Sequence, residues 1–264
     1  MALYRGLPPR PVLAVLTDMD DTVVGSTRPL DPPMAAAMDA LTGAGLGLAV
    51  VSGAALPRML DQVSAHLRRP HFLIATSGSQ ALRVAPDPDL AVPPCEELFH
   101  HAFSRRDRNE ILAALRWLTE TYSLKPDTNE ADQMQDRGSQ ITLSALGYKA
   151  APERKRAFDP DGSRRREWVR RLEDRLGAGR FNLRVGGTTS LDITPLGVDK
   201  GSGVTQLLRR SGWKAEDCLY FGDRFEDTGN DHPVLSVMDC VEIRHPSETL
   251  ALFQEILSIR RPVP

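Results

Sequence analysis

The first third of the chain alternates between continuous apolar runs and stretches of helical periodicity. Val12-Leu13-Ala14-Val15-Leu16 is unbroken rather than alternating, which predicts a strand of a parallel sheet buried on both faces. Asp31-Pro32-Pro33 supplies an N-cap acid and first-turn prolines for a helix bearing Met34, Met38 and Leu41, ended by Gly43 and Gly45. Residues 46–51 read as a second buried strand. Ser52-Gly53 follows, opening a helix with Met59, Leu60, Val63 and Leu67. Phe72-Leu73-Ile74-Ala75 is a third strand. Strand, helix, strand, helix, strand is the opening of a doubly wound, Rossmann-like α/β sheet.

The rhythm then changes. Pro86, Pro88, Pro93 and Pro94 mark a linker or irregular excursion. Ser104 and Asp107 form a capping pair for a helix with Ile111, Leu112, Leu115, Leu118 and Tyr122 on one face. Residues 140–146 alternate like a half-exposed strand. Ser163 is placed to cap a helix through Trp168, Val169, Leu172 and Leu176, and residues 181–185 and 191–194 alternate again. Alternating strands beside helices predict an α+β unit with one solvent-facing sheet. From Asp199 the first pattern returns, with a helix, the strand at 218–221, a strand near 240–243 and a last helix. The expected organisation is a core of residues 1–81 and 191–264 around an inserted α+β domain at 82–190. A cleft between core and insert is the expected substrate pocket.

The 264 residues, 41% of them hydrophobic, suffice for a sizeable core. A formal net charge of −2 argues against a general nucleic-acid binder. Cys95, Cys218 and Cys240 are scattered with no CxxC pair, which points to reduced thiols in a cytoplasmic protein rather than a disulfide frame or zinc site. No run is long enough to span a membrane, and no secretory leader is expected.

Chemistry concentrates at the predicted strand ends. Thr17-Asp18-Met19-Asp20-Asp21-Thr22 places three carboxylates after the first strand, where ligands bind in open α/β sheets. Crowded like charges are costly unless a cation sits among them. An acidic turn is the plain alternative, whereas a calcium loop is disfavoured because Val23-Val24 stands where further ligands would be needed. Ser52-Gly53 is either an anion site or an ordinary N-cap. Asp199-Lys200-Gly201 places a cation in a first helical turn, against the macrodipole by roughly 0.3–1 kcal/mol; Lys200 is either solvated or phosphate-binding. A second acidic cluster, Asp223 to Asp231, ends the strand at 218–221. Together these residues could hold a magnesium-like ion, a nucleophilic Asp, an acid/base carboxyl and donors for phosphoryl oxygens.

In this order the segments resemble the motifs of the haloacid dehalogenase superfamily: Asp18-Met19-Asp20-Asp21-Thr22, Ser52, Lys200, and Gly222-Asp223 through Asn230-Asp231. The resemblance implies Asp18 as nucleophile and Asp20 as general acid/base. It implies Mg2+ held by Asp18, the Asp20 carbonyl and Asp223, and phosphate held by Ser52, Gly53, Lys200 and Asn230, with Asp227 and Asp231 in support. The usual Gly after the second Asp is Asp21 here. The insert's place is similar to that of the large α/β cap subgroup, which includes phosphomannomutases and sugar-phosphate phosphatases. Its segments 136–144, Glu153-Arg154 with Phe158, and 186–192 are similar to the phosphomannomutase cap. That likeness implies Arg137, Arg154, Ser190 and Asp192 as substrate residues. Tyr148, with Lys149 beside it, stands where that family has a further arginine.

These readings lead to an expected magnesium-dependent phosphatase of a small sugar phosphate or related metabolite, with no nucleic-acid or membrane partner and a possible homodimer. A phosphohexomutase and a non-catalytic sugar-phosphate binder are the alternatives. The arginines at 164, 165, 166, 170, 171 and 175 lie among acidic residues and read as a solvated helix face.

Overall fold

A computed structural model describes residues 1–25, 28–87, 89, 93–227 and 229–260. In chain order the elements are β1 (Leu3–Tyr4), β2 (Ala14–Asp18), α1 (Pro32–Gly43), β3 (Gly47–Val51), α2 (Leu56–Gln62), β4 (His71–Ala75), β5 (Gln80–Val84), β6 (Cys95–His100) and α3 (Arg105–Thr121). Then follow β7 (Met134–Asp136), β8 (Ile141–Ser144), α4 (Pro152–Phe158), α5 (Ser163–Leu176), β9 (Phe181–Gly186) and β10 (Ser190–Pro195). The chain closes with α6 (Lys200–Ser211), β11 (Cys218–Gly222), β12 (Cys240–Glu242) and α7 (Pro246–Arg260).

The chain divides into two compact units, residues 1–100 with 199–264 and residues 101–198. Among the described residues the first unit carries an eight-stranded sheet in the order β1-β12-β11-β2-β3-β4-β5-β6. Its strands run parallel from β1 to β4, and β5 and β6 add antiparallel. One face buries Met34, Met38 and Leu41 of α1 and Phe253 of α7; the other buries Val204 and Leu207 of α6. The predicted doubly wound core is present. Its boundaries differ from 81/82 and 190/191: residues 82–100 complete β5 and β6 of the main sheet, and 191–195 belong to the second sheet. The proline-rich stretch is the connection between β5 and β6. Pro88 lies outside the described residues. Residues 80–84 carry no clear strand signal because the run is short and includes Gln80 and an exposed Arg83.

The second unit is a four-stranded antiparallel sheet, β7-β8-β10-β9. Ile141, Leu143, Leu191 and Ile193 on one face pack with Leu115 and Leu118 of α3 and Trp168 and Leu172 of α5. Residues 140–146 are buried on both faces rather than half-exposed. Two of their polar side chains are paired within the unit: Thr142 Oγ1 donates to Asp192 Oδ1 at 2.6 Å, and Ser144 Oγ lies 3.3 Å from Thr189 Oγ1.

Local signals explain the helix starts. Asp31 accepts from the Met34 N–H and Ser104 from the Asp107 N–H, both as N-caps. Ser163 does not cap α5; Gly162 holds that position in the left-handed region, and Asp159 accepts from the Arg164 and Arg165 amides instead. Cys218 and Cys240 are buried and free, and burial pushes the Cys218 thiol up to about 12.

His71 opens β4 and is almost wholly buried. Its Nδ1 lies 2.9 Å from the Arg69 carbonyl oxygen, which can only accept, so Nδ1 carries the proton and Nε2 accepts from Ser64 Oγ at 2.7 Å. Burial holds its pKa below the usual histidine value. The unfolded chain therefore takes up a proton that the folded ring resists. Stability from His71 is full above about pH 6.5 and falls as the pH drops below that value, by at most about 1.4 kcal/mol per pH unit. Urea unfolding should show a shallower loss between pH 7 and 5 for His71→Gln than for the unsubstituted protein; identical slopes contradict this.

Candidate active site

The parallel sheet brings the acidic clusters together. Asp18 is the last residue of β2, and Asp223 directly follows β11, its hydrogen-bonded neighbour. A carboxylate oxygen of each lies within 4.8 Å of the other and of one from Asp231. Lys200, the first residue of α6, is 1% exposed. Its Nζ donates to Asp18 Oδ1 at 2.5 Å and to Asp231 Oδ1 at 2.7 Å. It is thus a buried ion-pair partner and not a solvated side chain. Asp199 caps the helix in a reciprocal capping box with Ser202, which offsets the cation in the first turn.

Asp231 organises the segment after β11. Tyr220 Oη donates to its Oδ1 at 2.5 Å, and the amides of Asp223 and Arg224 donate to its Oδ2 at 3.2 and 3.1 Å. A Cβ on Gly222 would stand 2.8 Å from that same Oδ2, so the position has no room for a side chain. Tyr220 was not visible as a site residue in the sequence; it sits in an apolar strand like any core aromatic. Thr228, within this acidic segment, lies outside the described residues.

Ser52 is buried just after β3. It does not open the helix: α2 begins at Leu56, where Pro57 fits the first turn. Ser52 Oγ instead accepts from the Ala54 amide at 3.0 Å. The adjoining turn is strained. Thr76 and Ser77 have φ of +49° and +54°, costly for a β-branched residue above all. It is held by the Ser77 amide donating to the Ser52 carbonyl and the Thr76 amide to the Ala54 carbonyl. Gly78, at φ +96°, presses on α6: a Cβ there would lie 1.9 Å from the Asp199 carbonyl oxygen.

Asp20 stands apart from the three gathered carboxylates, and its Oδ1 accepts from Arg58 Nη2. Arg58, also unforeseen, is steadied by Nε donating to Gln62 Oε1 at 2.8 Å. Asp21 has φ +57°, which explains why glycine is usual at this position in the resembling family; Asp tolerates the left-handed region better than most side chains. Asp227 and Asn230 are exposed and lie outside the buried cluster. Gly53 borders Ser77, whose Oγ would lie 3.3 Å from a Cβ on Gly53.

In the second unit, Ser190 and Asp192 share one face of β10. Asp192 Oδ1 also accepts from Gln140 Nε2 at 3.0 Å. Arg137 donates from Nη2 to Gln135 Oε1 at 2.6 Å. Arg154 is exposed on α4 and pairs with Asp127 at 3.2 Å. Arg165 departs from the solvated-face reading: it is 4% exposed and paired with Asp159.

Three carboxylates gather beside one ammonium, which bonds to two of them, so two negative charges remain uncompensated when all are ionised. Burial pushes the Asp18 carboxyl well above its usual range despite the pull of Lys200. Burial and Asp231 push Asp223 up to about 6. The Lys200 pKa is also raised, because Asp18 and Asp231 outweigh the burial that opposes its charge. Both carboxyl shifts come first from burial, and crowding by neighbouring carboxylates adds to it. A hard divalent ion with oxygen ligands fits this donor set and its charge.

The sequence profile of haloacid dehalogenase-like hydrolases matches residues 15–239. The chain belongs to this family. No curated protein matches the sequence. Among solved structures, IMP-bound, N-terminally truncated IMP-nucleotidase of Plasmodium falciparum superposes with a TM-score of 0.67 at 14% identity, over 94% of this chain and 68% of that one. SMU.1108c of Streptococcus mutans UA159 gives 0.65 at 16% identity, over 94% and 99%. A structure from work on a trigonal-bipyramidal intermediate conserved in a phosphoryl-transfer superfamily gives 0.58 at 14%, over 93% and 99%. At these identities the likeness is one of fold. Among the described residues no helix is long and apolar enough to cross a membrane.

Saturating Mg2+, at about 100 times its Kd, should stabilise the hydrolase against unfolding by about 2.7 kcal/mol. Asp223→Asn should lose most of that gain in a thermal-shift titration. A melting temperature independent of Mg2+ contradicts the assignment.

Proposed function

We propose that this hydrolase is a magnesium-dependent phosphatase of small phosphorylated metabolites, sugar phosphates foremost, acting through an aspartyl-phosphate on Asp18. The observation that carries the proposal is the convergence of the Asp18 and Asp223 carboxylates with the Lys200 ammonium at the ends of adjacent parallel strands. Mg2+, proposed to be held by Asp18, Asp223 and the Asp20 carbonyl, would supply positive charge against the nucleophile and the phosphate oxygens.

Lys200 engages Asp18 through Oδ1, and Oδ2 is the proposed attacking oxygen. Its bond to phosphorus forms as the bond from phosphorus to the leaving oxygen breaks. Asp20, as a carboxylic acid, gives its proton to that oxygen; as a carboxylate it then takes a proton from the water that attacks the phospho-Asp18 phosphorus. Asp18 and inorganic phosphate are released. Nζ of Lys200 has three hydrogens, of which Asp18 and Asp231 take two; the third, with Ser52 and the Gly53 backbone, is proposed for the transferring phosphoryl oxygens. Asn230 is kept as a further phosphate contact, with Asp227 and Asp231 in support.

The rest of the metabolite is proposed to be read by Arg137, Arg154, Ser190 and Asp192 of the insert. The near-neutral charge and free cysteines support a small-molecule partner rather than nucleic acid, and a cytoplasmic setting. A phosphohexomutase shares the first half-reaction; Tyr148 in place of an arginine speaks against it. On mannose 1-phosphate with a trace of hexose bisphosphate, phosphate release should outpace isomer formation.

A panel of sugar monophosphates, with inosine monophosphate included because an IMP-nucleotidase shares the fold, should yield Mg2+-dependent phosphate release on a sugar phosphate. Asp20→Asn should lower the rate by about 10²–10⁴-fold, and Asp18→Asn should reduce it to background. Unchanged release by Asp18→Asn, or preference for the nucleotide, would overturn the mechanism or the substrate class respectively.

A further inference from the structure

Arg165 is the one arginine of the charged run 164–175 whose side chain is spent entirely inside the fold. Its Nε donates to Asp159 Oδ2 at 2.8 Å, and Nη2 to the Asp159 carbonyl at 3.2 Å. Its Nη1 donates to the carbonyls of Gly186 and Gly187, each at 2.8 Å. Asp159 in turn accepts the amides of Arg164 and Arg165 at the start of α5. One guanidinium therefore ties the helix start to the end of β9 and the turn that leads into β10.

That turn needs holding. Gly187 has φ +44°, and a Cβ on Gly186 would lie 2.5 Å from Asp192 Oδ2. The two carbonyls gripped by Arg165 precede Ser190 and Asp192 by three to six residues, and Gly186 pairs directly with Ser190 across the ladder. Moving the turn moves the edge on which both side chains are mounted. A buried ion pair adds little net stability compared with apolar residues of the same size, whereas the planar five-donor fork fixes geometry in a way lysine cannot.

We propose that Arg165, anchored by Asp159, is a positioning residue for substrate specificity: it sets the β9–β10 turn and so the placement of Ser190 and Asp192. The inference rests on the proposed role of those two residues in reading the substrate.

Two variants test it. Arg165→Lys keeps the charge and loses the fork. The double variant Asp159→Asn/Arg165→Met removes both charges, so that neither is left buried alone. Kinetics use the best sugar phosphate of the panel and p-nitrophenyl phosphate, an aryl ester without sugar hydroxyls. Expected are a KM for the sugar phosphate raised about tenfold or more, since small misplacements cost up to about a hundredfold, and a kcat/KM for the aryl ester within about twofold of the starting protein. Hydrogen exchange should quicken at residues 186–190 and stay unchanged in the β2, β3 and β11 amides. Parallel losses on both substrates would overturn the specificity role, as would a sugar-phosphate KM unchanged in both variants. Unaltered exchange at 186–190 would overturn the clamp itself. If the starting protein hydrolyses no sugar phosphate, the functional reading fails, and the exchange result still decides the clamp.

Discussion

One buried ammonium shared between two carboxylates holds the candidate site together. Lys200 comes from the segment after the insert, Asp18 from the first long strand, and Asp231 from a loop thirteen residues after β11 begins. Taking three such ions out of water costs several kcal/mol apiece. The contacts between them return part of that and leave the site short of positive charge. Removing Lys200 would strand two buried anions. Such an arrangement is poor as a stability device and well suited to a place where charge must be taken up and released.

The surroundings are built to keep these groups in place. The capping box at Asp199 fixes the first turn of α6. The left-handed turn at Thr76 and Ser77 is braced against Ser52 and Ala54, and Gly78 lets it sit on the Asp199 backbone. Asp231 spends its remaining acceptor capacity on Tyr220 and two backbone amides. Backbone strain at three non-glycine positions in these loops, Asp21, Thr76 and Ser77, is tolerable because the strands that lead into them, β2 and β4, are anchored in the buried sheet.

Much of this was legible in the sequence for a physical reason. A strand buried on both faces leaves an unbroken apolar run, and polar residues at its end are conspicuous; β2, β3, β4 and β11 were found that way, and Asp18, Ser52 and Asp223 with them. Caps at Asp31 and Ser104 were visible because the capping chemistry is local. What escaped were pairings between residues far apart in sequence. Tyr220 reads as core until Asp231 is placed beside its hydroxyl. Arg165 reads as surface until its partners at the Gly186 and Gly187 carbonyls, more than twenty residues away, are known. The strands β5 and β6 were hidden by short, charged runs around a proline-rich connection, which shifted the domain boundaries.

The proposed chemistry turns on a dication held jointly by Asp18 and Asp223, with Asp18 itself accepting phosphorus. A crystal structure grown with Mg2+ and beryllium fluoride, an acyl-phosphate mimic, tests it most directly. Beryllium should be bonded to an Asp18 carboxylate oxygen, with Mg2+ contacting both Asp18 and Asp223. An unmodified Asp18, with Mg2+ bound elsewhere or with the two side chains turned away from each other, would contradict it.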